Sequence, residues 1–224
     1  MSTDVAKNLH KVLNSLPTGV DLVAVSKFHP ANEIRVAYDE GQRIFGESHE
    51  QELSQKAAAL PKDIQWHFIG HLQTNKVRHI APYIAMVESV DSWKLLCEIN
   101  RQAEKCHRVI DVLLELHLAE EETKYGFSPD ACRKLLAAGE WRNLTHSRIC
   151  GLMMMASHTD DEEQIRREML TARQLFDELK QQYFPTDPAF RHRSWGMSHD
   201  YPIAIRCGST LVRIGTSLFG ERTY

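Results

Sequence analysis

The stretch Leu22-Val-Ala-Val-Ser-Lys27-Phe-His-Pro30 puts four apolar residues ahead of a serine and a lysine and closes on a proline. A short, β-branched apolar run bounded by polar and turn-forming residues reads as a strand buried on both faces. Strands of that kind belong to parallel sheets whose faces are covered by helices. The segment therefore raises two questions: how many such units the chain contains, and why one of them ends on an ammonium group.

Working outward, the same pattern recurs along the chain. After LVAVSK (22–27) come RIFGES (43–48), WHFIGH (66–71), AMVESV (85–90), DVLLELHL (111–118), RICGLMMM (148–155), SWGMS (194–198) and LVRIGT (211–216). Helical stretches separate them. One runs from about Ala31 to Tyr38 and is closed by Gly41; a polar one ends at Leu60; a short one covers Thr74 to Ile80. Asp91 or Ser92 caps the next, and Ser128-Pro129 opens another that stops at Gly139. The clearest helix has Thr159-x-x-Glu162 as a capping box, with Ile165, Met169, Ala172, Phe176, Leu179 and Tyr183 along one face. Apolar residues at Val5, Leu9, Val12, Leu13 and Leu16 place a further helix in front of the first strand. This series predicts an α/β fold, a single (β/α)8 barrel of the TIM type spanning 1–224 with an extra N-terminal helix. An open doubly wound sheet is seldom so regular over eight units.

Composition narrows the function classes. The chain has 27 Lys+Arg against 30 Asp+Glu in 224 residues, so neither nucleic acid nor an anionic membrane is an expected partner. The N-terminal segment has helical spacing rather than the apolar core of a signal peptide, and no apolar run reaches bilayer-spanning length. A soluble, cytoplasmic, monomeric protein is expected. The cysteines at 97, 106, 132, 150 and 207 form no CxxC pair and read as free buried thiols. His67 and His71 lie four apart in a strand, too far from each other to share a metal, so no metal site is expected. Met153 to Met155 read as barrel packing, and Glu120 to Glu122 as a solvated loop.

Barrels of this type carry their active face at the carboxyl ends of the strands. Those ends are Lys27, Ser48, His71, Ser89, Met153 to Met155, Ser198 and Gly215-Thr216. A lysine at the end of an apolar strand either reaches out to solvent or is desolvated, with a lowered pKa that lets its amine form Schiff bases. The loops after the seventh and eighth strands, Gly196-Met197-Ser198 and Ile214-Gly215-Thr216, offer hydroxyls and glycine amides to an anion such as a phosphate. Facing each other, these features suit pyridoxal phosphate or a phosphosugar aldolase equally.

The segments AVSKFHP, FGESHEQE, WHFIGHLQTNK, SVDS, EETKYGF, GLMMMA, SWGMSHD and GSTLVRIGTSLFGERTY occur in order from about Val5 to Tyr224. This series resembles that of the pyridoxal phosphate homeostasis proteins. That family is similar to the barrel domain of alanine racemase and lacks that enzyme's second, β-rich domain. The resemblance implies that Lys27 carries pyridoxal 5'-phosphate as a Schiff base, and that Ser198, Gly215 and Thr216 hold its phosphate. It also implies that Arg213 faces the pyridine nitrogen, the other reading of Arg213 being a pair with a structural carboxylate. Ser48 stands near the cofactor where the family usually has asparagine, and Trp195 stands where it more often has methionine. Lys124-Tyr125-Gly126-Phe127 becomes a candidate rim element.

The function implied is vitamin B6 homeostasis without catalysis, with apoenzymes that use the cofactor as partners. The alternative is an amino-acid racemase or related enzyme. It would need a proton donor opposite Lys27, a role that alanine racemase fills with a tyrosine of the missing domain.

Overall fold

The computed structural model describes residues 2–118 and 125–221. Eight parallel strands in chain order close into a barrel. They are β1 (Asp21–Val25), β2 (Ile44–Glu47), β3 (Gln65–Phe68), β4 (Met86–Val90), β5 (Ile110–Leu116), β6 (Ser147–Met154), β7 (His192–Met197) and β8 (Leu211–Ile214). Closure is made by β8 against β1, with Leu22 opposite Val212 and Val23 opposite Arg213. The expected barrel is the one observed.

Alternation of side chains, shifted by an extra residue in β4 and in β6, separates two cores. Ala24, Phe45, Phe68, Val87, Leu114 and Ile214 point outward into the layer beneath the helices. Val23, Met86, Leu113, Met153 and Leu211 fill the barrel interior. Trp195 stands in the outer core with no exposed surface, and its indole N–H has no partner among the described residues.

The helices are α1 (Ser2–Ser15), α2 (Ala31–Asp39), α3 (Glu50–Ala59), α4 (Val77–Ile80), α5 (Trp93–Lys105), α6 (Pro129–Ala138), α7 (Glu162–Tyr183), α8 (Tyr201–Arg206) and α9 (Thr216–Phe219). The extra helix α1 buries Val5, Leu9 and Val12, while Leu13 faces solvent. Asn8 Nδ2 donates to the Leu218 carbonyl at 3.2 Å, tying α1 to α9. Ser92 caps α5, Ser128 caps α6, and Gly139 ends α6 at φ +77, a left-handed conformation that glycine adopts without a Cβ clash.

The expected capping box at Thr159 is not formed. Asp161 caps α7 instead, accepting from Glu163 N and Gln164 N at 3.0 and 3.1 Å, and Thr159 Oγ1 accepts from Asp161 N. A carboxylate is the stronger acceptor at a helix N-terminus, so the helix starts two residues later than the box predicts. Of the cysteines, 132, 150 and 207 are buried and 97 and 106 half-buried, all as free thiols. Among the described residues no helix is long and apolar enough to cross a membrane.

Candidate functional site

Every strand but β4 ends one to three residues before the sequence pattern suggests, and Lys27, Ser48, Ser198, Gly215 and Thr216 lie just beyond the ends, with Arg213 inside β8. Ser26 N still bonds to the Gly46 carbonyl at 3.0 Å, but the chain then turns, with His29 N returning to the Ser26 carbonyl at 3.1 Å. Phe28 sits on that turn at φ +66, a backbone conformation that breaks strand pairing. Lys27 is half-buried on the same turn.

Lys27 lines a cavity of about 200 Å³ at the carboxyl ends of the strands, together with Ser198, Arg213, Gly215 and Thr216. Val25, Ile69, Met155 and Met197 supply its apolar wall. Met155 thus belongs to the site, whereas Met153 and Met154 are fully buried packing. Ser198 Oγ accepts from Gly215 N at 3.3 Å, which links the loops after β7 and β8. Buried Asp200 accepts from Met197 N at 2.5 Å and pins the same loop. Gly196, at φ +97, leaves no room for a side chain: a Cβ there would meet the Ala204 Cβ at 2.5 Å. Close approach of β7 to α8 therefore helps place Ser198.

Arg213 is 4% exposed and forms part of the barrel interior. Its Nη1 donates to the Ser194 carbonyl and hydroxyl at 2.7 and 2.6 Å, and its Nη2 to the Met154 carbonyl at 2.8 Å. The Ser194 hydroxyl in turn donates to Glu88 Oε2 at 2.5 Å. Glu88 Oε1 pairs with His67 Nδ1 at 2.6 Å, and Glu88 Oε2 lies 3.9 Å from Arg213 Nη1. Arg213 thus lines the cavity and also stands against a carboxylate. Burial pushes the Glu88 carboxyl up, but the His67 hydrogen bond, the His67 and Arg213 charges and the Ser194 hydroxyl together hold it below the ordinary range. Burial lowers the Arg213 pKa, against the pull of Glu88, Asp200 and Glu115.

Sequence reading passed over Glu88 and Ser194. The signal was available in Met86-Val87-Glu88, where a charged residue shares the inward face of a buried strand with a methionine. Ser89, which the strand-end reading selected, instead donates to the Gly70 carbonyl at 2.5 Å.

Glu115 is a further buried carboxyl, 5% exposed on β5. Burial, then the negative charge of Asp91, push it up to about 7, with Arg213 opposing. The folded chain therefore keeps a proton that the unfolded chain gives up, so stability falls as pH rises from the ordinary value of 4.5 to about 7 and is level above that. The ionised form costs on the order of 3 kcal/mol. Glu115→Gln should accordingly raise the unfolding free energy at pH 8 and leave it nearly unchanged at pH 4.5. Denaturant titrations at the two pH values check this, and an equal change at both would contradict it.

Ser48 is placed differently. It lines a neighbouring cavity of about 210 Å³ with His71 and Lys76, and its hydroxyl lies 3.4 Å from His49 Nδ1. His67 and His71 part company: His67 points into the barrel, while His71 pairs with Asp91 at 3.0 Å and stacks on Tyr125 with centroids 3.7 Å apart. Glu120 to Glu122 and Lys124 lie outside the described residues.

The family profile described as "Alanine racemase, N-terminal domain" matches residues 2–223. The pyridoxal phosphate homeostasis protein of Aquifex aeolicus is 40% identical over 205 residues, covering 91% of this chain and 87% of its own length. That of Escherichia coli is 34% identical over 238 residues, with 99% and 98% covered. PipY of Synechococcus elongatus, solved with PLP bound, superposes with a TM-score of 0.86 at 37% identity, over 96% of this chain and all of that one. Alanine racemase from Streptomyces lavendulae shares the fold, with a TM-score of 0.77 at 17% identity, and this chain covers 57% of it. The chain thus belongs to the pyridoxal phosphate homeostasis protein family, whose barrel is the one that alanine racemases carry as their N-terminal domain.

Proposed function

We propose that this chain binds pyridoxal 5'-phosphate at the barrel mouth and serves vitamin B6 homeostasis, with Lys27 as the covalent attachment point. The observation that carries the reading is the meeting of Lys27, Ser198, Arg213, Gly215 and Thr216 around one cavity. The donor set suits the ligand: an amine for an aldehyde, hydroxyls and backbone N–H groups for a phosphate, and a guanidinium for a ring nitrogen. Relatives that bear the homeostasis name, and the PLP-bound PipY structure, support it.

When bound, the cofactor supplies an electron sink for carbanion chemistry. Arg213 works against that use. Its guanidinium only donates hydrogen bonds, so beside a pyridine nitrogen it favours the unprotonated ring, which withdraws electrons poorly. Ser194 and Met154 hold the guanidinium in place. The chain is therefore proposed to hold and release the cofactor rather than to turn over amino acids. Cytoplasmic location, a monomeric state and delivery to apoenzymes belong to the same proposal.

Phosphate anchoring supplies the test. Hydrogen bonds to charged groups contribute about 1.5–3 kcal/mol each, so Ser198→Ala or Thr216→Ala should weaken binding of the phosphorylated cofactor by roughly tenfold or more. Both variants should bind pyridoxal, which has no phosphate, as the parent does. Equal losses for the two ligands in equilibrium titrations would place these residues away from the phosphate.

A further inference from the structure

The turn that carries Lys27 is held from outside the cavity by a buried ionic cluster. Lys56 on α3 is 6% exposed, although it belongs to a helix that otherwise reads as polar. It shares the inward face with Leu53, Ala57 and Leu60. Its Nζ meets three acceptors: the Ser26 carbonyl at 2.7 Å, Glu47 Oε1 at 2.7 Å and Glu52 Oε1 at 2.6 Å. An ammonium has three donors, so all are committed.

Glu47 has no exposed surface and also accepts from Ser26 Oγ at 2.6 Å, while its Oε2 has no partner among the described residues. Glu52 Oε1 additionally accepts from Phe28 N at 2.6 Å. The residue before Lys27 is thus fixed through its carbonyl and hydroxyl, and the residue after it through its amide. Lys56 joins both attachments. Phe28 at φ +66 is a conformation that a non-glycine residue leaves unless its surroundings impose it.

We propose that Lys56 and Glu52 are positioning residues that aim the Lys27 amine at the cofactor's aldehyde. The inference rests on the proposed function and adds residues that never touch the ligand. In the step concerned, the Lys27 nitrogen bonds to the aldehyde carbon and the aldehyde oxygen leaves as water with the two amine protons. No oxidant or reductant takes part. With the cluster broken, the turn loses the attachments that fix Ser26 and Phe28, and the lysine stem shifts with it. The phosphate cup, built on the loops after β7 and β8 from Ser198, Gly215 and Thr216, includes none of the cluster's residues.

The test uses the full chain and two ligands. One is pyridoxal 5'-phosphate, whose rate of borohydride-fixable capture is measured. The other is pyridoxine 5'-phosphate, which bears an alcohol in place of the aldehyde and reports noncovalent binding alone. Misplacing a reacting group by about an ångström costs up to roughly a hundredfold in rate, so capture should slow by roughly tenfold to a hundredfold in Lys56→Met and in Glu52→Ala. Affinity for the alcohol analogue should stay within about twofold of the parent, because the phosphate contacts are intact.

Capture at the parent rate in a folded variant overturns the proposal. So does an equal loss for both ligands, which would signal a general loss of structure. Should Lys56→Met fail to fold, Glu52→Ala decides, since the Glu52 side chain is 23% exposed and tolerates removal better. A parent chain that captures no cofactor removes the proposed function itself. A parent that captures it while the variants match its rate removes only the positioning role.

Discussion

Lys27→Ala should abolish the visible absorbance of the cofactor-loaded chain and every borohydride-fixed adduct. Among the described residues, Lys27 is the one lysine lining the cavity with Ser198 and Arg213. Its neighbours offer no substitute. Lys56 has its three donors committed to oxygens of Ser26, Glu47 and Glu52. Lys76 lines the adjoining cavity and pairs with Glu50 at 3.3 Å. Weak uptake through the proposed phosphate cup should survive in the variant and be competed away by inorganic phosphate, because Ser198, Gly215 and Thr216 remain in place. Absorbance spectra of parent and variant at matched ligand concentration check the first point. A visible band of parent intensity in Lys27→Ala would contradict it.

Glu88→Ala carries the largest expected effect on stability. Glu88 has no exposed surface and stands between His67 and the Ser194–Arg213 pair. Removing one partner of a buried ionic network strands the others without a counter-charge and typically costs about 3–5 kcal/mol. In a chain of this size that corresponds to a fall in Tm of roughly 6–20 °C. Because Glu88 is held below the ordinary carboxylate range, its contribution is present above that range and fades as pH falls through the folded-state value. The gap between parent and variant should therefore be full at pH 7 and shrink in acid. Glu88→Gln should lose less, since an amide oxygen can still accept from Ser194. Denaturant unfolding at both pH values provides the measurement, and a deficit at pH 7 below about 1 kcal/mol would show that the network is not ionic.

The barrel was legible because its signal is repeated. Each unit gives a short apolar run, a polar break and a helix with recognisable ends, and eight of them constrain one another. Lys27, Ser198, Gly215 and Thr216 could be found for a related reason: strand ends in such a barrel converge on one face, so position in the pattern implies position in space. What the sequence concealed depends on pairing across the barrel. Glu88 and Ser194 are 106 residues apart and meet only because β4 and β7 both turn side chains inward. Lys56 looks like one more charge on a polar helix until the inward face of α3 is known. Ser48 follows the strand-end rule, yet its side chain opens into the neighbouring cavity, because a strand end fixes the backbone and leaves the last side chain to the loop.

Peptide mapping of the parent chain after pyridoxal 5'-phosphate loading and borohydride reduction tests covalent attachment at Lys27. A single modified lysine is expected, in the peptide containing Lys27, with the yield falling when pyridoxine 5'-phosphate competes. An adduct confined to any other lysine, or spread over exposed lysines without competition by that analogue, would contradict it.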